Sequence, residues 1–195
     1  LVSILVNNFN NEKYLDKCIN SCLKQTYKNI EIIVFDDKST DSSKNILSKY
    51  KKNKIKIIFN KNKKFNSGPL NQLNSIYISL KKSKGKYIFL LDGDDYFLKD
   101  KVSKSVKTFN AKPKTVFLQD NPIYKYNDAN IQFKKFKLKR KLFVNHTWPF
   151  FSPTSTMAFK RDFLVKLLTK IAFSKSLFDQ MFFDARAFIY IYFFE

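Results

Sequence analysis

Short apolar runs recur roughly 25 to 30 residues apart, at positions 1–6, 30–35, 55–59, 87–91 and 115–118. The first, second and fourth are almost unbroken in apolar or β-branched residues, the pattern of strands buried on both faces. Helical patterns separate them. Over 12–25, Tyr14, Leu15, Cys18, Ile19, Cys22 and Leu23 form a stripe of period 3.6, with Asn10 or Asn11 as the N-cap. Further stripes run over 42–52 (Ile46, Leu47, Tyr50), 69–82 (Leu70, Leu73, Ile76, Tyr77, Leu80, with Pro69 in the first turn) and 99–110 (Val102, Val106, Phe109). Strand and helix alternating in this way predict right-handed βαβ units and an α/β domain with a mostly parallel sheet. Ligands of such sheets bind at the carboxyl ends of the strands. That edge then collects three polar clusters, at 7–11, 36–41 and 92–95.

The last cluster is the most demanding. The stretch YIFLLDGDDYF drives a buried strand straight into Asp92, Asp94 and Asp95. Their repulsion has to be relieved by solvent or by a cation, and hard divalent ions such as Mg²⁺ or Mn²⁺ prefer carboxylate oxygens and share their coordination with substrate phosphates. The plainer reading is a solvated acidic turn with Asp95 capping the next helix. The segment VFDDKSTDSS is open in the same way: Thr40 or Asp41 caps a helix beginning near Ser42, while Asp36 and Asp37 end a strand where acids commonly bind ribose or base.

The formal net charge of +21 raises the alternative of a basic nucleic-acid-binding protein. Only Arg140, Arg161 and Arg186 are arginines, however, and the lysines are spread along the whole chain rather than gathered beside base-reading residues. Nucleic acid is therefore not the expected partner; an anionic substrate or membrane surface suits the charge better. Cys18 and Cys22 lack a second Cys/His pair and read as reduced core residues. No apolar run approaches the ~20 residues of a spanning helix. The chain starts at Leu1 without a signal pattern and ends at Glu195 after an aromatic run, so it is expected to be a piece of a longer protein.

Taken in order, these motifs resemble the inverting glycosyltransferases of the GT-A fold, family 2. VSILVNNFNNEKYLDKCINSCLKQTYKNIEIIVFDDKSTDSS is similar to that family's first strand, Asn-containing loop, QTY helix end and Asp-Asp-x-Ser-x-Asp segment. KGKYIFLLDGDDYF resembles its Gly-x-Tyr strand ending in Asp-x-Asp-Asp. The resemblance implies a Rossmann-like sheet flanked by helices, with residues 1–118 as the nucleotide-sugar half and 119–195 as a smaller acceptor half, C-terminally truncated. It implies that Asn7, Asp36, Asp37, Asn74 and Asp92 bind the donor nucleotide. Asp94, assisted by Asp95, would hold Mn²⁺ or Mg²⁺ on the donor diphosphate. Two departures stand out: Lys38 replaces the Gly usual after the Asp pair, and the helix holding Asn74 is about one turn longer than the family's.

The acceptor half matches less well. SPTSTMAFKRDFL looks like the family segment of small polar residues, an apolar-basic strand and a helix from about Arg161. SLFDQMFFDARAF falls where the family places its catalytic base at a helix start. Asp179 is the first choice and Asp184 the second, Asp184 lying deeper in a helix expected over 176–194. An N-capping or solvated acid is the alternative for each. His146 and Trp148 lie in a stretch that either lines the acceptor cleft or packs in the core. The implied activity is transfer of a sugar from a nucleoside-diphosphate donor, UDP-sugar by preference, to a hydroxyl of a cell-surface glycan or lipid-linked saccharide, as in polysaccharide, lipopolysaccharide or capsule assembly. A degenerate, non-catalytic sugar-nucleotide or glycan-binding module is the competing class. The lysines and the aromatic run at 188–194 fit a cytoplasmic enzyme touching the inner membrane face, or equally a buried aromatic helix.

Overall fold

A computed structural model of the chain describes residues 1–50, 55–126, 129–131, 153–171 and 181–194. Its central sheet is built from β1 (Val2–Asn8), β2 (Ile30–Asp36), β3 (Ile55–Phe59), β4 (Tyr87–Asp92), β5 (Phe117–Gln119) and β8 (Met157–Lys160), in the order β3-β2-β1-β4-β8-β5. A separate two-stranded ribbon pairs β6 (Tyr124–Tyr126) with β7 (Ala129–Ile131). The helices are α1 (Glu12–Leu23), α2 (Ser43–Ser48), α3 (Gly68–Lys82), α4 (Lys101–Ala111), α5 (Arg161–Ile171) and α6 (Phe183–Phe194).

Strands β3, β2, β1 and β4 are parallel, as the alternation of elements requires. Successive side chains of a strand face opposite sides, and the core divides accordingly. Ile4 and Val6 join Leu15, Cys18, Val102 and Phe109 beneath α1 and α4. Leu5 and Ile33 join Leu73, Ile76, Leu164 and Phe183 beneath α3, α5 and α6. The result is a helix–sheet–helix sandwich whose middle strands are buried up to their polar carboxyl ends, which explains why their sequences are apolar without alternation. Both cysteines are free and buried; burial pushes the Cys22 thiol up to about 12 and the Cys18 thiol well above its ordinary value, so neither is a nucleophile.

Strand β8, in the stretch expected to form an apolar-basic strand, pairs antiparallel with both β4 and β5. The helix starts differ from those expected. Helix α6 begins only at Phe183, with Met181 and Phe182 outside it, so Asp184 lies in the first turn rather than deep in a helix from 176. Helix α4 begins at Lys101 after Asp100, so Asp95 caps nothing. Asn11 occupies the N-cap position of α1 but makes no side-chain cap; Asp41 Oδ2 accepts from the Glu12 N–H instead, at 2.8 Å. Asp41 also accepts from Ser43 N–H at 3.0 Å, so one carboxylate serves the starts of both α1 and α2.

Register fixes where the polar clusters meet. Asn7 pairs with Asp92 across β1 and β4, and Asn8 with Asp36 across β1 and β2. The polar residues thus begin at one level on adjacent strands. Among the described residues, no helix is long and apolar enough to cross a membrane. In α6, Tyr190 and Ile191 pack against the α3 side of the core.

Candidate active site

The loops after β1 and β2 are tied together by side chains. Asn8 Nδ2 donates to Asp36 Oδ2 at 2.8 Å and to Ser39 Oγ at 3.2 Å. Ser39 Oγ also accepts from the Asn10 N–H, and Asn10 Oδ1 accepts from the Thr40 N–H at 2.8 Å. Asp36 is fully buried and accepts from the Ser39 N–H as well, so it holds the loop from within and does not line the cleft. Asp37, one residue on, turns the other way. It lies on the cleft wall, with Asn60 Nδ2 donating to its Oδ1 at 2.7 Å. Lys38 adopts φ 60°, a left-handed conformation that glycine holds without strain, so the turn after the Asp pair is kept despite the substitution.

The turn after β4 depends on glycine for space. Gly93 N–H donates to the Asn7 carbonyl at 2.8 Å. A Cβ there would stand 2.7 Å from Asn8 Oδ1 and 2.9 Å from Asn11 Nδ2. The Asp92 N–H donates to Ser155 Oγ at 2.9 Å, and Ser155 in turn hydrogen-bonds the Asp95 carboxylate. Ser155 comes from a short 3₁₀ turn, Thr154–Thr156, that precedes β8. The antiparallel strand therefore delivers a hydroxyl to the acidic turn, which β-strand periodicity alone does not reveal.

These elements enclose a cleft of about 700 Å³. Asp37, Asp92, Asp94 and Asp184 all line it, together with Asn7. Helix α3 contributes Asn71, Gln72 and Ser75 but not Asn74, which sits off this face. Phe9, Lys63 and Phe65 close another part of the wall, with Lys63 Nζ 3.3 Å from the Phe9 ring centroid. Asp179, His146 and Trp148 lie outside the described residues. Beside the cleft, and sharing Pro153 with it, lies a second depression of about 450 Å³ lined by Asp95, Tyr96, Lys101, Asp120, Ile123 and Tyr124. At its base, buried Lys101 pairs with Asp120 and donates to the Thr156 carbonyl.

The acids perturb one another. Burial pushes Asp92 up to about 7; donation from Gln72 opposes this, and the nearby Asp95 and Asp94 charges add to it. Burial likewise raises Asp95, with Asp94 adding repulsion, and raises Asp184. A divalent cation would relieve this repulsion, and carboxylate oxygens are the donors it prefers, so the residues present fit one. Among the described residues, no three acidic, His or Cys side chains form a closed cage. The carboxylates present would suit a shared site, in which a substrate supplies the remaining oxygen ligands.

The family described as "Glycosyl transferase family 2" matches residues 3–168. One curated relative is the Escherichia coli protein "UDP-Glc:alpha-D-GlcNAc-diphosphoundecaprenol beta-1,3-glucosyltransferase WfaP", 39% identical over 121 residues, which cover 62% of this chain and 45% of that protein. The chain spans less than half the length of the first relatives it matches, 41%, 43% and 45% of them. Among solved structures, Staphylococcus aureus TarS 1–349 in complex with UDP aligns with a TM-score of 0.67 at 23% identity, over 92% of this chain and 52% of that one. The mannosyltransferase PcManGT of Pyrobaculum calidifontis, in complex with GDP-Man and Mn²⁺, aligns with a TM-score of 0.59 at 15% identity, over 85% of this chain and 46% of that one. The fold expected from the sequence, that of the GT-A glycosyltransferases, is thus the fold observed.

Proposed function

Because the chain belongs to glycosyl transferase family 2, we propose that it is the donor-binding and catalytic part of an inverting glycosyltransferase using a UDP-sugar. The observation that carries the reading is the convergence of Asp37, Asp92, Asp94 and Asp184 on one cleft large enough for a sugar nucleotide. Asp37 and Asn7 bind the base and ribose, backed from inside by Asp36. Asp92 lies where the ribose or the cation's surroundings would be. Asp94, with Asp95 held by Ser155, would hold Mn²⁺ or Mg²⁺. When bound, that ion supplies positive charge to the diphosphate as it leaves.

Asp184 is the general base in this reading, since it stands on the cleft wall at the start of α6. Its carboxylate takes the proton of the acceptor hydroxyl while that oxygen bonds to the anomeric carbon. The bond from that carbon to the diphosphate oxygen breaks, and UDP departs with the electron pair. The acceptor approaches through the adjoining depression, whose Tyr96, Ile123 and Tyr124 offer apolar faces for a saccharide. The WfaP name specifies a lipid-linked diphosphate acceptor, and the UDP complex of TarS supports the donor choice. An acceptor of that kind, peripheral contact with the membrane that carries it, and a role in surface-polysaccharide assembly complete the proposal.

The test is UDP release from a panel of UDP-sugars, with and without lipid-linked saccharide acceptors, by wild type, Asp184→Asn and Asp179→Asn. Acceptor-dependent release, lost by a factor of about 10² or more in Asp184→Asn alone, is the expected result. Near-wild-type turnover of Asp184→Asn with inactive Asp179→Asn would move the base to Asp179. Nucleotide binding without any release would make the chain a binding module.

A further inference from the structure

Gln72 has no role in the chemistry above, yet it joins both ends of the cleft. Its Nε2 donates to Asp92 Oδ1 at 3.1 Å, and its Oε1 accepts from the Phe183 N–H at 3.1 Å. The orientation of the amide is not arbitrary: a backbone N–H can only donate, which turns Oε1 toward Phe183 and leaves Nε2 for the carboxylate. Phe183 opens α6, so its N–H belongs to the first turn, whose donors have no partner within the helix. Asp184 is the next residue. A single side chain on α3 therefore spans from the end of β4 to the helix start that carries the second acidic group of the cleft. The backbone of Gln72 is held in turn, since the Ser75 hydroxyl lies 2.8 Å from the Gln72 carbonyl and also beside Asn7 Oδ1, its single proton serving one acceptor or the other.

We propose that Gln72 is a positioning residue, holding the first turn of α6, and with it Asp184, in register with Asp92 at the donor end of the cleft. The inference rests on the transferase reading for its catalytic consequence, but the tether itself does not. Removing it lets the acceptor-side carboxylate drift relative to Asp92, and displacements of about 1 Å at a reacting group lower rates by about 10²-fold.

Two variants separate the bonds. Gln72→Met has similar length and neither strong donor nor acceptor; Gln72→Glu keeps an oxygen to accept from the Phe183 N–H and replaces the amide donor that faces Asp92 with a carboxyl oxygen. Amide exchange of Phe183, read by NMR on the ligand-free chain, is expected to quicken at least tenfold in Gln72→Met and to stay within threefold of wild type in Gln72→Glu. In turnover, Gln72→Met is expected to lose at least tenfold in kcat, a larger factor than any rise in donor KM. Unchanged Phe183 exchange in Gln72→Met, or equal loss of protection in both variants, would overturn the tether. A raised donor KM at unchanged kcat would overturn the positioning role. If wild type transfers no sugar, the transferase reading fails, and Phe183 exchange alone decides whether Gln72 holds α6. Should Gln72→Met not fold, Gln72→Asn, too short to reach either partner, takes its place with the same readouts.

Discussion

Replacing Gly93 with alanine probes how tightly the acidic turn is packed. Gly93 has no positive φ, so its backbone is open to any residue and the demand for glycine is purely one of space. The added Cβ would lie 2.7 Å from Asn8 Oδ1, 2.9 Å from Asn11 Nδ2 and 3.1 Å from the Asn7 carbonyl oxygen. Asn8 cannot swing aside freely, because its Nδ2 is committed to the Asp36 carboxylate and to Ser39. Losing one charge-assisted and one neutral hydrogen bond costs about 3 kcal/mol. For a chain of this size that lowers Tm by about 6 to 12 °C. The assay is urea denaturation of wild type, Gly93→Ala, Asn8→Ala and the double variant. Once Asn8 is truncated the nearest of the three obstructions is gone, leaving Asn11 Nδ2 and the Asn7 carbonyl oxygen, so the two substitutions should couple by about 1 kcal/mol or more. A loss below about 1 kcal/mol in Gly93→Ala, or strict additivity in the cycle, would refute the packing argument.

Lys38→Gly is expected to raise stability by up to about 1 kcal/mol, because Lys38 is exposed and holds φ 60° at a steric cost that glycine avoids; a lower urea midpoint would contradict this. Asp184→Asn carries a pH signature. Burial raises the Asp184 carboxyl, so above the ordinary carboxylate range the folded chain binds more protons than the unfolded one, and stability falls as pH rises through that interval. Asparagine removes this loss. The variant should therefore be more stable than wild type near neutral pH, with the difference shrinking as pH falls toward about 4; a difference independent of pH would contradict it.

The parallel half of the sheet is legible in the sequence because each buried strand is an apolar run joined to the next by one amphipathic helix. The order of its far edge is not. Strand β8 is only Met157–Lys160, and nothing in so short a pattern specifies that it pairs antiparallel with β4, far earlier in the chain. Within the site, Asp36 and Asp37 look equivalent as neighbours, yet adjacent residues leaving a strand face opposite ways, and only Asp37 reaches the cleft. Asn74 illustrates the same geometry on a helix. Gly68, Asn71, Gln72 and Ser75 recur at three- and four-residue intervals and share the cleft face, while Asn74 falls two positions from Gln72 and so on another side. That polar stripe opposite Leu73, Ile76 and Leu80 was present in the sequence as a signal for Gln72 and Ser75. Ser155 carried no such signal, because its approach to Asp92 depends on the placement of β8.

The central claim is a nucleotide site completed by a divalent ion on Asp94. Calorimetric titration of UDP into wild type, Asp94→Ala and Asp37→Ala, with Mn²⁺ and with chelator, measures it most directly. Wild type is expected to bind UDP only with Mn²⁺, Asp94→Ala to bind at least tenfold more weakly, and Asp37→Ala to bind more weakly with the Mn²⁺ requirement retained. Undiminished Mn²⁺-dependent UDP affinity in Asp94→Ala would contradict it.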